Sequence, residues 1–175
     1  MSFIIRPAAA QDADAACDVL RRSIRDCCEP DHRGDPAVLA AWLGNKTPQM
    51  VTSWFESPTN VSLVAVRDGT VVGVALLTGA GKLALCYLLP EVLRQGAGKA
   101  LLAGMEERAA ALGMKTLFLH STFTAESFFA ARGYRRDGNV RAPYGIDTVL
   151  FWKPLVENAS APDSQRKRFC NCNSA

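Results

Sequence analysis

Apolar residues recur at Ala16, Leu20, Ile24 and Cys27 within Gln11 to Cys28, the spacing of an amphipathic helix. A short strand, Phe3 to Arg6, precedes it and stops at Pro7. Pro30, Gly34 and Pro36 break the helix. Further helical stretches are predicted at Pro36 to Leu43 and from the Thr47-Pro48 cap to about Glu56. After Pro58 the pattern changes to valine- and leucine-rich runs at Val61 to Arg67 and Thr70 to Thr78. Asp68-Gly69 between them signals a two-residue hairpin. Gly79-Ala80-Gly81 turns the chain into a third strand, Lys82 to Leu89, stopped by Pro90. Gly96 to Leu112 reads as a helix with Leu101, Leu102, Met105, Ala109 and Leu112 on one face and Gly113 as its cap. Lys115 to His120 is a strand, Thr124 to Ala131 a short helix, Tyr134 to Asp137 the start of another strand, and Thr148 to Lys153 the last.

This mixed order of strands and helices, over 175 residues with 49% hydrophobic and 21% charged content, describes one domain with a substantial core. Intrinsic disorder is excluded by composition. No apolar run approaches the roughly 18 residues of a membrane span, and Arg6 and Pro7 interrupt any leader, so the expected setting is cytoplasmic with no membrane anchor. The formal charge is only +3, and three cations, Arg166, Lys167 and Arg168, cluster near the end, so no basic face recommends nucleic acid. The six cysteines lack paired C-x-x-C spacing, and Cys27, Cys28 and His32 lack a fourth ligand, so no metal is expected. From residue 156 the chain is poor in apolar side chains, and 156–175 is expected to be a flexible tail.

The chemistry concentrates where a strand ends at Pro90 and a helix begins near Gly96. Gly96-Ala97-Gly98-Lys99 between them is an anion-binding arrangement. Small residues let the backbone approach a ligand, successive N–H groups share one concavity, and the helix dipole favours phosphate charge. It is not a Walker A loop, because Leu93 stands where the first glycine belongs and Ala100 where Ser/Thr should follow Lys99. Nor is it a dinucleotide fingerprint, because Leu101 takes the place of its last small residue.

The run Leu88-Leu89-Pro90-Glu91-Val92-Leu93-Arg94-Gln95-Gly96-Ala97-Gly98-Lys99-Ala100-Leu101-Leu102 resembles the acyl-CoA loop of the GCN5-related N-acetyltransferases, whose pattern is R/Q-x-x-G-x-G/A. Gly96 and Gly98 match; the leading residue is Leu93, with Arg94 and Gln95 beside it. A second segment, Ser121 to Tyr134, is similar to the family's strand and helix ending in F-Y-x-x-x-G-F. The resemblance spans Phe3 to Pro154 in element order and is weakest over residues 25–58.

The resemblance implies an α/β (α+β) fold: a mixed, mostly antiparallel sheet of six to seven strands, flanked by about four to five helices and splayed between the fourth and fifth strands, over residues 1–155. It implies acetyl-CoA as cosubstrate and an amine acceptor, small molecule or protein, and leaves a homodimer open. Cys86, Tyr87 and Leu88 would bond the pantetheine amides across the gap. Arg94, Gln95, Gly96, Ala97, Gly98, Lys99 and Thr122 complete the expected cofactor-binding set. A backbone N–H near Leu88 would polarise the thioester carbonyl.

Many members carry a carboxylate on the fourth strand to deprotonate the amine, and Ala84 to Leu88 offer none. His120 is the best candidate base, against a histidine merely hydrogen-bonded at a strand end. Phe129 takes the place of the tyrosine that protonates the thiolate, which leaves Tyr144 as the candidate acid, against an ordinary loop aromatic. Glu29, Asp31 and Asp35 form either a solvated loop or the acidic rim of an acceptor site. Trp42 and Trp54 read as core. The alternative function is a CoA-binding regulatory module with weak or no turnover.

Overall fold

The computed structural model describes residues 2–163. Residues 164–175, with Arg166, Lys167, Arg168 and most of the expected tail, lie outside the described residues. Seven strands are present: β1 (Ile4–Pro7), β2 (Val61–Arg67), β3 (Thr70–Leu77), β4 (Leu83–Leu88), β5 (Thr116–Ser121), β6 (Arg135–Arg141) and β7 (Asp147–Pro154). The helices are α1 (Ala13–Cys27), α2 (Glu29–His32), α3 (Pro36–Leu43), α4 (Pro48–Glu56), α5 (Ala97–Ala111) and α6 (Glu126–Ala130). Among the described residues no helix is long and apolar enough to cross a membrane.

The strands form two antiparallel sheets, ordered β1-β2-β3-β4 and β5-β7-β6. They meet where Lys82 bridges Phe118 in parallel, with the Phe118 N–H donating to Gly81 O at 3.0 Å. β4 pairs with β3 up to Gly73 opposite Leu88, and β5 pairs with β7 up to Ser121 opposite Val149. Beyond the bridge the facing edges of β4 and β5 diverge, which is the splay expected above.

The Asp68-Gly69 hairpin forms with φ of 50° and 78°, the left-handed pair that a tight turn requires. β3 is buried at seven consecutive positions, Val71 to Leu77. A strand covered on both faces needs an unbroken apolar run, which explains its lack of alternation. α1 and α4 pack against the first sheet, and α5 lies so close to it that a Cβ at Gly104 would come within 3.1 Å of Leu63 Cδ1. Leu101, Leu102, Met105 and Ala109 of α5 are buried, but Leu112 is 61% exposed because the helix has ended there. Gly113, at φ 75°, and Met114 return their N–H groups to Ala110 O and Ala109 O and close the helix end.

Two elements depart from the pattern. α2 forms one turn where breakers had predicted a loop, because Pro30 sits in a first turn whose N–H groups need no helical partner. β6 runs to Arg141 although Arg135-Arg136-Asp137-Gly138-Asn139 is polar throughout: it is an edge strand, exposed at all but Asp137 and Val140, which are half-buried, and bulged between Arg136 and Asn139. Past β7 the Thr116 hydroxyl donates to Ser160 O at 3.1 Å, which holds the chain at Ser160 against the start of β5.

Candidate functional site

The divergence of β4 and β5 opens a cleft of about 850 Å³. Its walls are β4 and β5, the C-terminal end of α1, the loop before α5, the first turn of α5, and α6. The facing strand edges have pairing partners on their outer sides only. Backbone N–H and C=O groups along the cleft are therefore offered to an extended ligand, which can bond them as an added strand would.

At one end stands the loop into α5. Arg94 (φ 60°) and Gly96 (φ 94°) are both left-handed, and nothing lies within 4 Å of where a Gly96 Cβ would be. The first intrahelical bond runs from Ala100 N–H to Gly96 O at 3.0 Å. The N–H groups before it have no partner within the helix, as an anion cradle at this turn requires. Gly98 serves a different purpose. A Cβ there would meet Leu88 Cδ1 and two atoms of the Phe128 ring at 3.3 Å, so its smallness seats α5 against β4 and α6. Arg94, Lys99 and Arg132 line the cleft, and none of them makes an ion pair among the described residues.

Most of the expected site residues meet here. Cys86, Tyr87, Leu88, Arg94, Gly96, Gly98, Lys99, His120 and Thr122 all line the cleft. Burial pushes the Cys86 thiol up to about 12, which keeps it protonated near neutral pH. The Thr122 hydroxyl accepts the Ala125 N–H at 3.2 Å and shapes the approach to α6. Ala97 is fully buried below the loop. Gln95 turns away, donating to Glu91 O at 2.8 Å and accepting from Arg67 at 2.9 Å. His120 half-faces the cleft from β5, edge-on to Phe118 at 6.3 Å.

Tyr144 is not among the cleft-lining residues. It stacks on Trp42 with ring centroids 4.9 Å apart, in a small apolar cluster with Ile24, Cys28 and Tyr87. Burial, with Cys28 and Asp31 nearby, raises its hydroxyl pKa. Phe129 is buried, tilted against Phe151 and edge-on to Tyr134. Trp42 and Trp54 are each 2% exposed, as core residues.

The acidic loop has structural work to do. Asp35 caps α3 by accepting the Ala37 N–H at 2.8 Å, and Asp31 accepts the Phe123 N–H at 2.7 Å and the Thr124 hydroxyl. His32 accepts the Gly34 N–H at Nδ1, which leaves its Nε2–H to donate to Arg25 O at 3.1 Å. Both ring nitrogens are thus committed to the loop. Among the described residues no group of three His, Cys, Asp or Glu is arranged to hold a metal ion.

Sequence reasoning did not single out Asp26, the carboxylate that lines the cleft from α1, nor Phe128 and Arg132. Asp26 sits among the polar positions of the α1 pattern, and Phe128 and Arg132 lie within the Ser121 to Tyr134 segment; tertiary packing brings all three to the cleft.

A family model described as an acetyltransferase (GNAT) domain matches residues 28–153. The chain is 39% identical over 85 residues to an amino-acid acetyltransferase from Azotobacter vinelandii, a match covering 46% of this chain and 19% of the relative. It thus spans about a fifth of the length of the curated relatives it matches. Among solved structures, a GCN5-related N-acetyltransferase from Rhodopseudomonas palustris superposes with a TM-score of 0.77 at 23% identity, covering 88% of this chain and 96% of that one. The PaiA N-acetyltransferase from Thermoplasma acidophilum in complex with coenzyme A gives 0.74 at 22% identity, covering 88% and 99%.

Proposed function

The chain belongs to the GNAT acetyltransferase family, and from that premise we propose that it transfers the acetyl group of acetyl-CoA to a primary amine by direct attack. One observation carries the reading: two open strand edges flank a cleft that ends at the first turn of α5, beside three cations, Arg94, Lys99 and Arg132, that make no ion pair among the described residues. A long ligand with amide groups along its arm and phosphates at one end fits that combination.

Acetyl-CoA supplies the activated thioester. The N–H groups of residues 96–99 hold its diphosphate, with Arg94 and Lys99 adding positive charge. The inner edge of β4, at Cys86 to Leu88, bonds the arm's amides, and a backbone N–H near Leu88 donates to the carbonyl oxygen as negative charge develops there. The amine lone pair attacks the carbonyl carbon, a C–N bond forms, the C–S bond breaks, and the sulfur leaves as thiolate. His120 accepts the proton that the amine gives up. Holding both reactants in one cleft contributes much of the acceleration. No residue is assigned to protonate the thiolate, since Phe129 carries no ionisable proton and Tyr144 is stacked on Trp42 and is not among the cleft-lining residues.

A second reading has support in the same cleft. β4 carries no carboxylate and Phe129 no hydroxyl, as in a CoA-binding module with little turnover. Release of CoA thiol in the presence of a broad amine panel separates the two. Turnover above acetyl-CoA hydrolysis with at least one amine is expected. Tight CoA binding with no amine-dependent thiol release would favour the binding module.

A further inference from the structure

Arg132 sits in the turn between α6 and β6, with its guanidinium carbon 4.3 Å from the centre of the Phe128 ring. The same ring abuts the first turn of α5, because its edge lies 3.3 Å from where a Gly98 Cβ would be. A continuous wall therefore runs from the anion cradle across Phe128 to Arg132, and the cleft opens onto all of it. The wall ends in an under-used cation. Arg136, four residues on, is held by Glu126 at 3.0 Å, whereas Arg132 makes no ion pair among the described residues. Its own hydrogen bonding is thin: one long bond of 3.4 Å to Phe128 O, and an Nε shielded from solvent with no hydrogen-bond partner.

A guanidinium braced on an aromatic face is pre-positioned, and its planar fork of N–H groups suits a phosphate monoester. CoA carries such a group on its ribose, chemically separate from the diphosphate. We propose that Arg132, braced on Phe128, binds the 3′-phosphate of CoA and makes this chain select CoA over 3′-dephospho-CoA. The inference rests on the acetyl-CoA reading above. It divides the cleft's cations by role: Arg94 and Lys99 flank the cradle and serve the diphosphate, and Arg132 serves the second phosphate at the far end of the wall.

Calorimetric titration with CoA and with 3′-dephospho-CoA tests the division without need of an acceptor. The unaltered chain is expected to bind CoA about tenfold more tightly than the dephospho compound, the order expected for one charge-assisted contact. Arg132→Gln should bring the ratio near one by weakening CoA alone, and Lys99→Gln should weaken both ligands alike. If Arg132→Gln lowers the melting temperature, the unaltered chain decides instead. Its ratio should fall towards one between about 0.05 and about 0.5 M salt as the contact is screened. Equal affinities in the unaltered chain, or a ratio that survives Arg132→Gln or high salt, overturn this inference and leave the cosubstrate reading standing. Absence of binding by either compound overturns both.

Discussion

Lys46 is buried at the junction of α3 and α4, with its ammonium 2.6 Å from Asn45 Oδ1 and 5.7 Å from the centre of the Trp54 ring. No carboxylate pairs with it among the described residues, and burial pushes its pKa down to about 8 from 10.5. Between those values the unfolded chain binds the extra proton, so this group's contribution to stability rises with pH across the window. Below pH 8 both states are charged, and the burial penalty, on the order of 3 kcal/mol at most, is fully present. The thiols of Cys28 and Cys86, raised to about 12, oppose this trend above pH 9, because the unfolded thiols ionise first. Lys46→Met leaves the thiols in place, so the difference between the two proteins reports the lysine together with its weaker coupling to the Cys17 thiol. Denaturant titrations should show the variant's advantage at pH 7 shrinking as pH rises to about 10.5; a constant difference would show that the ammonium is not desolvated. His120 governs the other residue-scale expectation. If it takes the amine proton, His120→Ala lowers turnover about 10²-fold with CoA affinity unchanged, whereas a change below twofold would leave it a structural side chain of β5.

Among the elements, β4 has the most exacting surroundings. Leu88 at its end leans over Gly73 of β3, where a Cβ would lie 2.6 Å from Leu88 Cδ2, and also touches the Gly98 position of α5. Two glycines thus make room for Leu88, the residue beside which the proposed reaction sets the thioester carbonyl. Gly73→Ala should cost about 1–3 kcal/mol in denaturation and weaken CoA binding by displacing Leu88; unchanged affinity in a folded variant would detach Leu88 from the site. The helices α1 and α2 are tied to the continuations of both splayed strands. Arg22 meets the Glu91 carboxylate with two bonds of 3.0 Å beyond β4, and Asp31 holds Phe123 and Thr124 beyond β5. These ties set how the helical layer spans the cleft on its α1 side. Asp31→Ala is expected to raise KM for the acceptor more than for acetyl-CoA, with little change in melting temperature because the ties lie at the surface. Equal KM values in variant and parent would make the tie incidental.

Across the whole molecule, what the sequence made legible follows from how local each signal is. Asp68-Gly69 carries its own turn geometry, and β2, β3 and α5 carry their burial in their periodicity. Pro90 and Gly96 punctuate the segment that becomes the cradle. The sheet's division came from resemblance rather than from pattern, because no residue of β4 or β5 announces a missing neighbour. β6 was readable only at its start, since an exposed edge strand needs no apolar alternation. Arg132, Phe128 and Asp26 reach the cleft through packing, and Tyr144 is taken up by Trp42 for the same reason. The central claim is that an extended CoA lies between β4 and β5 with its diphosphate on the turn before α5. Amide hydrogen exchange with and without CoA tests it most directly. The account predicts slowed exchange at residues 94–99 and along residues 86–88, with β6 unchanged. Unchanged exchange throughout at saturating CoA, or protection confined to another face, would contradict it.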